Sequence, residues 1–111
     1  GGVPLDSVEG ELRLADIRKF LRRVGAVRGI LFGSRARGDY LLSSDVDLIV
    51  ISDNFADISF PRRMVFLHEH WDLPYYLEGL PYTEEEFTRL KRTSSVVQDA
   101  MRYGIEVYPE P

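Results

Sequence analysis

VRGILFGSRARGDYLLSSDVDLIVI, residues 27–51, is the stretch of this sequence that decides the fold. Its two ends, residues 27–32 and 46–51, are rich in branched aliphatic side chains and predict two strands. Between them lies a polar segment of glycine, serine and arginine, which begins at Gly33 and predicts a loop. The stretch therefore predicts two strands joined by a polar loop, with acidic residues where the second strand begins.

The acidic residues at that strand start are Asp45 and Asp47. Because successive side chains of a strand point to opposite faces, the two carboxylates face the same side, with α-carbons about 6.6 Å apart. Magnesium binds through one or two carboxylates while phosphates and water complete its shell. Alone, this pattern is more often two exposed acids. The preceding Gly33-Ser34, where glycine lets the backbone approach a phosphate, favours a metal and nucleotide site.

The spacing of these residues resembles a family signature. Gly33-Ser34, ten further residues and then Asp45-Val46-Asp47 are similar to the signature of minimal nucleotidyltransferases in the DNA polymerase beta superfamily. The resemblance implies the nucleotidyltransferase fold, an α/β (α+β) class with helices packed on a small mixed β-sheet. It also implies that Gly33 and Ser34 hold the triphosphate of ATP and that Asp45 and Asp47 bind two Mg²⁺ ions.

Two arginines in the loop, Arg35 and Arg37, are further candidates for nucleotide binding. A planar guanidinium binds phosphate oxygens in bidentate fashion and would neutralise charge in the transition state. Arginine in a surface loop is about as often simply solvated. The sequence leaves both roles open for these two residues.

The family also carries a third carboxylate on a later strand, for which Asp72 and Glu78 are the candidates. The resemblance implies that this group helps to bind metal and serves as the base or positions it. If the strand predicted over residues 73–80 is straight, the candidates lie about 20 Å apart, so one centre cannot use both. An antiparallel strand would favour Glu78 and a parallel strand Asp72. The family's third acid commonly precedes a run like residues 81–87, which selects Glu78, where the family usually has aspartate.

The sequence outside this stretch predicts helices that alternate with strands. Apolar residues recur at helical spacing over residues 11–24, and Gly25 is placed to end that helix. A second helix is predicted over residues 61–71, with Pro61 at its first position. The aromatic residues Trp71, Tyr75 and Tyr76 are interpreted as packing residues.

Two more helices are predicted in the C-terminal third. Thr83 and Glu86 form a capping box, which predicts a helix to about Arg92. Ser94 or Ser95 caps a further helix that Gly104 ends before a short strand over residues 105–108. The residues of that helix expected to face inward are Val97, Ala100 and Met101.

Size, charge and composition bound the organisation of the chain. The 111 residues fit one domain, predicted over residues 9–111 after a flexible leader over residues 1–8. A net charge of −4 argues against generic nucleic-acid binding, and the lack of cysteine excludes disulfides. Without an export signal or an apolar run of about 20 residues, the sequence predicts a cytoplasmic protein that does not enter a membrane.

These observations predict a Mg²⁺-dependent enzyme that transfers a nucleoside monophosphate, AMP from ATP, to a hydroxyl group. Family members of this size are typically paired with a small helical HEPN-type protein in toxin–antitoxin operons, so the resemblance implies such a partner as the acceptor. The alternative is a binding module of the same fold that is weak or inactive because its third carboxylate, Glu78, is altered. The sequence leaves open the base, the acceptor and whether the chain forms a homo-oligomer.

Overall fold

The chain folds into four helices and four strands over residues 14–33 and 45–111, which a computed structural model describes. The helices are α1 (Leu14–Arg23), α2 (Phe60–His70), α3 (Glu84–Thr93) and α4 (Ser95–Tyr103), and the strands are β1 (Arg28–Phe32), β2 (Val46–Ile51), β3 (Leu77–Tyr82) and β4 (Ile105–Val107). A short 3₁₀ turn, Asp53–Phe55, follows β2. None of these helices has the length and apolar character that crossing a membrane requires. The predicted leader lies outside the described residues.

The strands form one mixed sheet in the order β3-β2-β1-β4. β1 is antiparallel to both β2 and β4, whereas β2 and β3 are parallel. Helix α2 connects β2 to β3, and a helical crossover of this kind is what allows consecutive strands to run in parallel. The predicted small mixed sheet with packed helices is therefore confirmed. This topology places the starts of β2 and β3 side by side.

The apolar core has one layer on each face of the sheet. On one face, α1 and α2 pack over the side chains of Val46, Leu48 and Val50. On the other face, α3 and α4 pack over Ile49 and Ile51. Side chains alternate along a strand, so the odd-numbered residues of β2, including Asp47, face the side of the sheet that carries α3 and α4.

The helix ends largely follow the sequence prediction. Gly25 has a φ of 71° just after α1, in the left-handed region that glycine adopts at low cost. The capping box of Thr83 and Glu86 begins α3, and the Ser94 hydroxyl accepts a hydrogen bond from the Val97 amide at the start of α4. Met101, predicted to face inward, is instead 43% exposed. Helix α4 lies over β1 near a sheet edge where β4 has only three residues, so the core there is too narrow to cover it.

Strand β3 begins at Leu77, four residues later than the predicted start. Residues 71–76 instead make a turn, in which the Trp71 indole N–H donates to the Tyr75 carbonyl at 2.6 Å. The Trp71 ring also packs edge-on against Phe20, with centroids 5.0 Å apart, which confirms its packing role. This turn lets the strand start beside β2 and continue through Pro81 to Tyr82.

Candidate active site

Asp47 lies at the centre of the candidate site, near the start of β2. Its α-carbon pairs with that of Phe32 on β1 and with that of Glu78 on β3. Asp47 is half-buried, whereas Asp45, immediately before the strand, and Glu78 are exposed. Three of the carboxylates singled out in the sequence therefore lie at the starts of two neighbouring parallel strands.

Gly33 follows β1 and approaches the Asp47 carboxylate closely. Its φ is 74°, and a β-carbon built on it would lie 2.2 Å from Oδ2 of Asp47. Any side chain at this position would displace the carboxylate, and the backbone there is one that other L-residues rarely adopt. The glycine that was predicted to give room for a phosphate is seen here to give room for the Asp47 carboxylate. The other predicted nucleotide-binding residues, Ser34, Arg35 and Arg37, lie outside the described residues.

Glu78, and not Asp72, is the acid that β3 brings to Asp47. The strand is parallel to β2, a direction that was expected to favour Asp72, and that expectation is wrong. Glu78 reaches the site because β3 begins at Leu77 and its start carries Glu78. Asp72 lies before the strand and forms an exposed ion pair with Arg23 of α1 at 3.0 Å.

The side chains of Glu78 and Asp47 belong to the same face of the sheet. Leu80 and Tyr82, which share the parity of Glu78 along β3, pack against the core layer under α3 and α4. Asp47 faces this layer too, because it alternates with Val46 and Leu48 of the opposite layer. The register pairs the two acids directly, so only the gap between neighbouring strands, about 4.8 Å, separates their backbones.

The donor chemistry of this site fits magnesium. Within residues 14–33 and 45–111, no three His, Asp or Glu side chains are grouped so that they could hold a metal ion by themselves. Magnesium does not need such a cage, because one or two carboxylates suffice when substrate phosphates and water complete its six ligands. Asp45 and Asp47 are the pair that would supply these oxygen donors, and Glu78 lies on the adjacent strand.

Two cavities meet at this part of the sheet. One, of about 350 Å³, is lined by Asp47 and Glu78 together with apolar side chains that include Met64 of α2 and Val96 of α4. The other, of about 240 Å³, opens beside Gly33 between β1 and α4. Phe32 and Val96 line both. Sequence reasoning missed Val96, because it precedes the buried Val97 on its helix and periodicity alone turns it toward solvent.

A glycine turn after one strand, with carboxylates at the starts of the next two strands of a small mixed sheet, is the arrangement expected of a nucleotidyltransferase. A family model described as "Nucleotidyltransferase domain" matches residues 11–106. The chain therefore belongs to the nucleotidyltransferase domain family. This match confirms the resemblance drawn from the glycine-serine and aspartate spacing, and it makes the protein a member of a transferase family.

Proteins similar to the chain include one known by its sequence and one known by its crystal structure. A protein of Methanocaldococcus jannaschii named "Putative protein adenylyltransferase" is 29% identical over 80 residues, which cover 72% of this chain and 77% of that protein. A crystal structure described as "a putative nucleotidyltransferase from Sulfolobus solfataricus" has 24% identity and a TM-score of 0.49, over 74% of this chain and 85% of that one.

Proposed function

We propose that this protein transfers AMP from ATP to a hydroxyl group of a protein acceptor, using Mg²⁺ held by Asp45 and Asp47. The observation that carries the proposal is the position of Asp47, which lies against Gly33 and pairs with Glu78 across two parallel strand starts. Membership of the nucleotidyltransferase family supports the transfer of a nucleotide, and the name of the Methanocaldococcus jannaschii relative supports a protein acceptor.

Asp45 and Asp47 would hold the magnesium ions, two of them as in the resemblance drawn from the sequence. When bound, these ions neutralise phosphate charge and make the acceptor hydroxyl more acidic. Gly33, Ser34, Arg35 and Arg37 are proposed to hold the triphosphate, in keeping with the roles that the resemblance implies. Of these residues, Gly33 supports the proposal structurally, because it lies directly against the Asp47 carboxylate.

Glu78 is proposed to act as, or to position, the base. The proton of the acceptor hydroxyl passes to the Glu78 carboxylate or to water that it holds, and the hydroxyl oxygen forms a bond to the α-phosphorus. The bond between the α-phosphorus and the oxygen that bridges to the β-phosphate breaks, and pyrophosphate leaves with that electron pair. Glu78 is exposed at the mouth of the 350 Å³ cavity, where an acceptor can reach it.

The acceptor that we favour is a small helical partner of the HEPN type, encoded beside this protein in a toxin–antitoxin pair and present with it in the cytoplasm. The resemblance to minimal nucleotidyltransferases supports this choice. Glu78 is itself exposed, and within the described part of the chain its strand lies at one end of the sheet, so that a macromolecular acceptor can approach it.

The test is the transfer of label from α-labelled ATP to the purified product of the neighbouring gene, in the presence of Mg²⁺. We expect Asp45→Asn and Asp47→Asn to lower the transfer rate by about 10³-fold, because each removes a carboxylate that would hold Mg²⁺ against the phosphates. Asp57→Asn is the matched control, since Asp57 is exposed and its φ of 67° is one that asparagine tolerates. Transfer that survives both active-site changes would contradict the proposed metal ligands.

Glu78 separates an enzyme from an inactive module of the same fold. If Glu78 handles the proton, Glu78→Gln should lower the transfer rate by about 10²–10⁴-fold, the usual contribution of general base catalysis. Glu78→Asp keeps the carboxylate and should retain more activity than the glutamine variant. Glu85→Gln, which removes an exposed carboxylate from the start of α3, controls for the loss of charge. Nucleotide binding without any transfer by the wild-type protein would favour the module.

A further inference from the structure

We infer that the 240 Å³ cavity beside Gly33 binds the nucleoside of ATP, and that Asp99 of α4 selects ribonucleotides over 2′-deoxyribonucleotides. The Asp99 carboxylate accepts hydrogen bonds from the ribose hydroxyls, and the Tyr103 ring stacks on the base. This inference rests on the proposed function and adds which residues choose the nucleotide.

One face of helix α4 forms a wall of this cavity. The residues of that wall follow the spacing of three and four that places side chains on one side of a helix, and they are Val96, Asp99, Ala100 and Tyr103. Ala100 belongs to the core layer beneath the helix. Val96 and Tyr103 are 50% and 62% exposed, and Asp99 is exposed as well. The side chains that would touch a nucleoside are therefore accessible to it.

The cavity adjoins the place where the α-phosphate of ATP is proposed to lie. Phe32 and Val96 line both this cavity and the 350 Å³ cavity that contains Asp47, so the two cavities meet at these residues. Gly33, which lies against the Asp47 carboxylate, lines the smaller cavity too. The ribose of ATP is attached to the α-phosphate. A nucleotide whose α-phosphate lies at Asp47 can therefore extend its nucleoside into the adjoining cavity.

The order of residues along α4 matches the order of groups in a nucleotide. Val96 lies where the two cavities meet. With a rise of about 1.5 Å per residue, Asp99 lies about 4.5 Å further along the helix axis and Tyr103 about 10.5 Å further. The ribose directly follows the α-phosphate, and the base follows the ribose. Asp99 is therefore placed at the sugar and Tyr103 at the base.

The charge of the cavity suits the neutral part of the nucleotide. Among the described residues that line it, Asp99 is the one charged side chain. A carboxylate repels phosphate but accepts hydrogen bonds from hydroxyl groups, and dinucleotide-binding folds use an acidic side chain in this way on the ribose. Within the described part of the chain, the Asp99 side chain has no hydrogen bond or ion pair. Its oxygens are thus available to the ribose.

Tyr103 presents an aromatic ring at the far end of the cavity. The guanidinium carbon of Arg102 lies 5.9 Å from the centroid of this ring, and Tyr103 is nevertheless 62% exposed. The pairing of Ile105 on β4 with Leu31 on β1 holds this end of α4 close to Gly33. Because every base has a face on which an aromatic ring can stack, this contact supplies affinity without choosing the base.

The larger cavity is a poorer place for the nucleoside. It is lined by Glu78, the proposed base, so it must admit the acceptor hydroxyl, and a nucleoside there would occupy the acceptor's place. The 240 Å³ cavity is smaller than the pockets of about 300–1,000 Å³ that hold drug-sized ligands. That volume suits part of a nucleotide whose phosphates lie outside the cavity.

The experiment compares ATP with 2′-deoxy-ATP in the wild type and in Asp99→Ala. Binding in the presence of Mg²⁺ is measured by calorimetry, and kcat/KM is measured for labelling of the acceptor from the two α-labelled nucleotides. The wild type should bind ATP about tenfold more tightly than 2′-deoxy-ATP, the usual effect of one hydrogen bond to a charged group. Asp99→Ala should bind the two nucleotides equally, because only the affinity for ATP falls.

Two comparisons separate this effect from a loss of charge or of folding. Glu85→Ala removes an exposed carboxylate from α3 and should keep the preference for ATP. Alanine favours helix more than aspartate does, so Asp99→Ala should fold, which its circular dichroism spectrum checks. Tyr103→Ala should weaken the binding of both nucleotides alike, by about tenfold, and Tyr103→Phe should retain wild-type binding.

Each outcome decides the inference. Equal wild-type affinities for ATP and 2′-deoxy-ATP, or a preference that survives Asp99→Ala, would overturn it and leave the proposed function standing. Loss of the preference in Glu85→Ala, or unchanged binding in Tyr103→Ala, would overturn it as well. The expected preference in binding without any transfer would support the inference and overturn the proposed function. A wild-type protein that binds neither nucleotide would overturn both.

Discussion

At the scale of single residues, the site depends on a contact between a glycine and a carboxylate. Gly33 has a φ of 74° and leaves the space in which the Asp47 carboxylate lies. Gly25 has almost the same backbone conformation, with a φ of 71°, but a β-carbon there would meet only the terminal amide nitrogen of Asn54 at 2.9 Å. Comparing alanine substitutions at the two glycines therefore distinguishes the effect of backbone strain from the effect of displacing the Asp47 carboxylate.

We expect Gly33→Ala and Gly25→Ala to lower the free energy of unfolding by a similar amount, about 1–2 kcal/mol, because both place a β-carbon at positive φ. Only Gly33→Ala should also lower the rate of nucleotide transfer, by about 10²-fold, because it displaces a group that positions the substrate. Urea denaturation and initial transfer rates measure the two effects. An equal loss of activity in Gly25→Ala would show that the contact with Asp47 is not the cause.

At the scale of secondary-structure elements, a half-buried ion pair joins α2 to α3. Nη1 of Arg63 lies 2.6 Å from Oε1 of Glu86, and Nε of Arg63 donates to the Ile58 carbonyl at 2.8 Å. The Glu86 carboxylate also accepts the Thr83 amide of the capping box. The hydrogen bond from Arg63 is the main reason that the pKa of Glu86 lies below its ordinary value of 4.5.

This ion pair predicts a pH dependence of stability. Because the pKa of Glu86 is lower in the folded protein than in the unfolded chain, its stabilisation is full above pH 4.5 and is lost as the pH falls through the folded-state pKa. At neutral pH, Glu86→Gln should lower the free energy of unfolding by about 1–3 kcal/mol. The difference in the free energy of unfolding between Glu86→Gln and the wild type should become smaller below pH 4.5.

Denaturation of the wild type and the variant across the acidic range measures this change. Glu85→Gln, which removes an exposed carboxylate at the next position of the same helix, is the control for net charge. If the free energies of unfolding of the wild type and Glu86→Gln differ by the same amount at every pH, the ion pair does not set the pKa of Glu86.

The elements that the sequence predicted well are those fixed by local physics. The branched aliphatic run Val46–Ile51 is a strand over its full predicted length, because it is buried on both faces of the sheet. The capping box specified the start of α3 through bonds within four residues of chain. The choice between Ser94 and Ser95 as the cap of α4 could not be made from residue types, since either hydroxyl can accept an amide.

Other elements depended on contacts between distant residues. The start of β3 is set by a turn that packs Trp71 on Phe20 of α1, which no local pattern encodes. The sequence did not predict the 3₁₀ turn Asp53–Phe55 for the same reason. Phe55 is 1% exposed because it packs into the core that α1 and α2 complete, and these helices are distant in the chain. The parallel direction of β3 could have been predicted from the sequence, because a helix predicted between two strands favours a parallel crossover.

At the scale of the whole molecule, the candidate site arises from the sheet topology. The order β3-β2-β1-β4 brings the end of β1 and the starts of β2 and β3 together, which collects Gly33, Asp47 and Glu78 from three separate segments. The acids themselves could be selected from the sequence by their spacing and the family resemblance. The cavity beside them could not be predicted from the sequence, because Met64 and Val96, which line it, come from helices on opposite faces of the sheet.

We propose that this protein transfers AMP, so that the bond between the α- and β-phosphates of ATP is the one that breaks. The most direct measurement uses ATP labelled at the α-phosphate and, separately, at the γ-phosphate, with the wild-type protein, Mg²⁺ and the acceptor. We predict that the α-label becomes attached to the acceptor while the γ-label is released as pyrophosphate, and that Asp47→Asn slows both by about 10³-fold. Retention of the γ-label on the acceptor, or attachment of the α-label at an unchanged rate in Asp47→Asn, would contradict it.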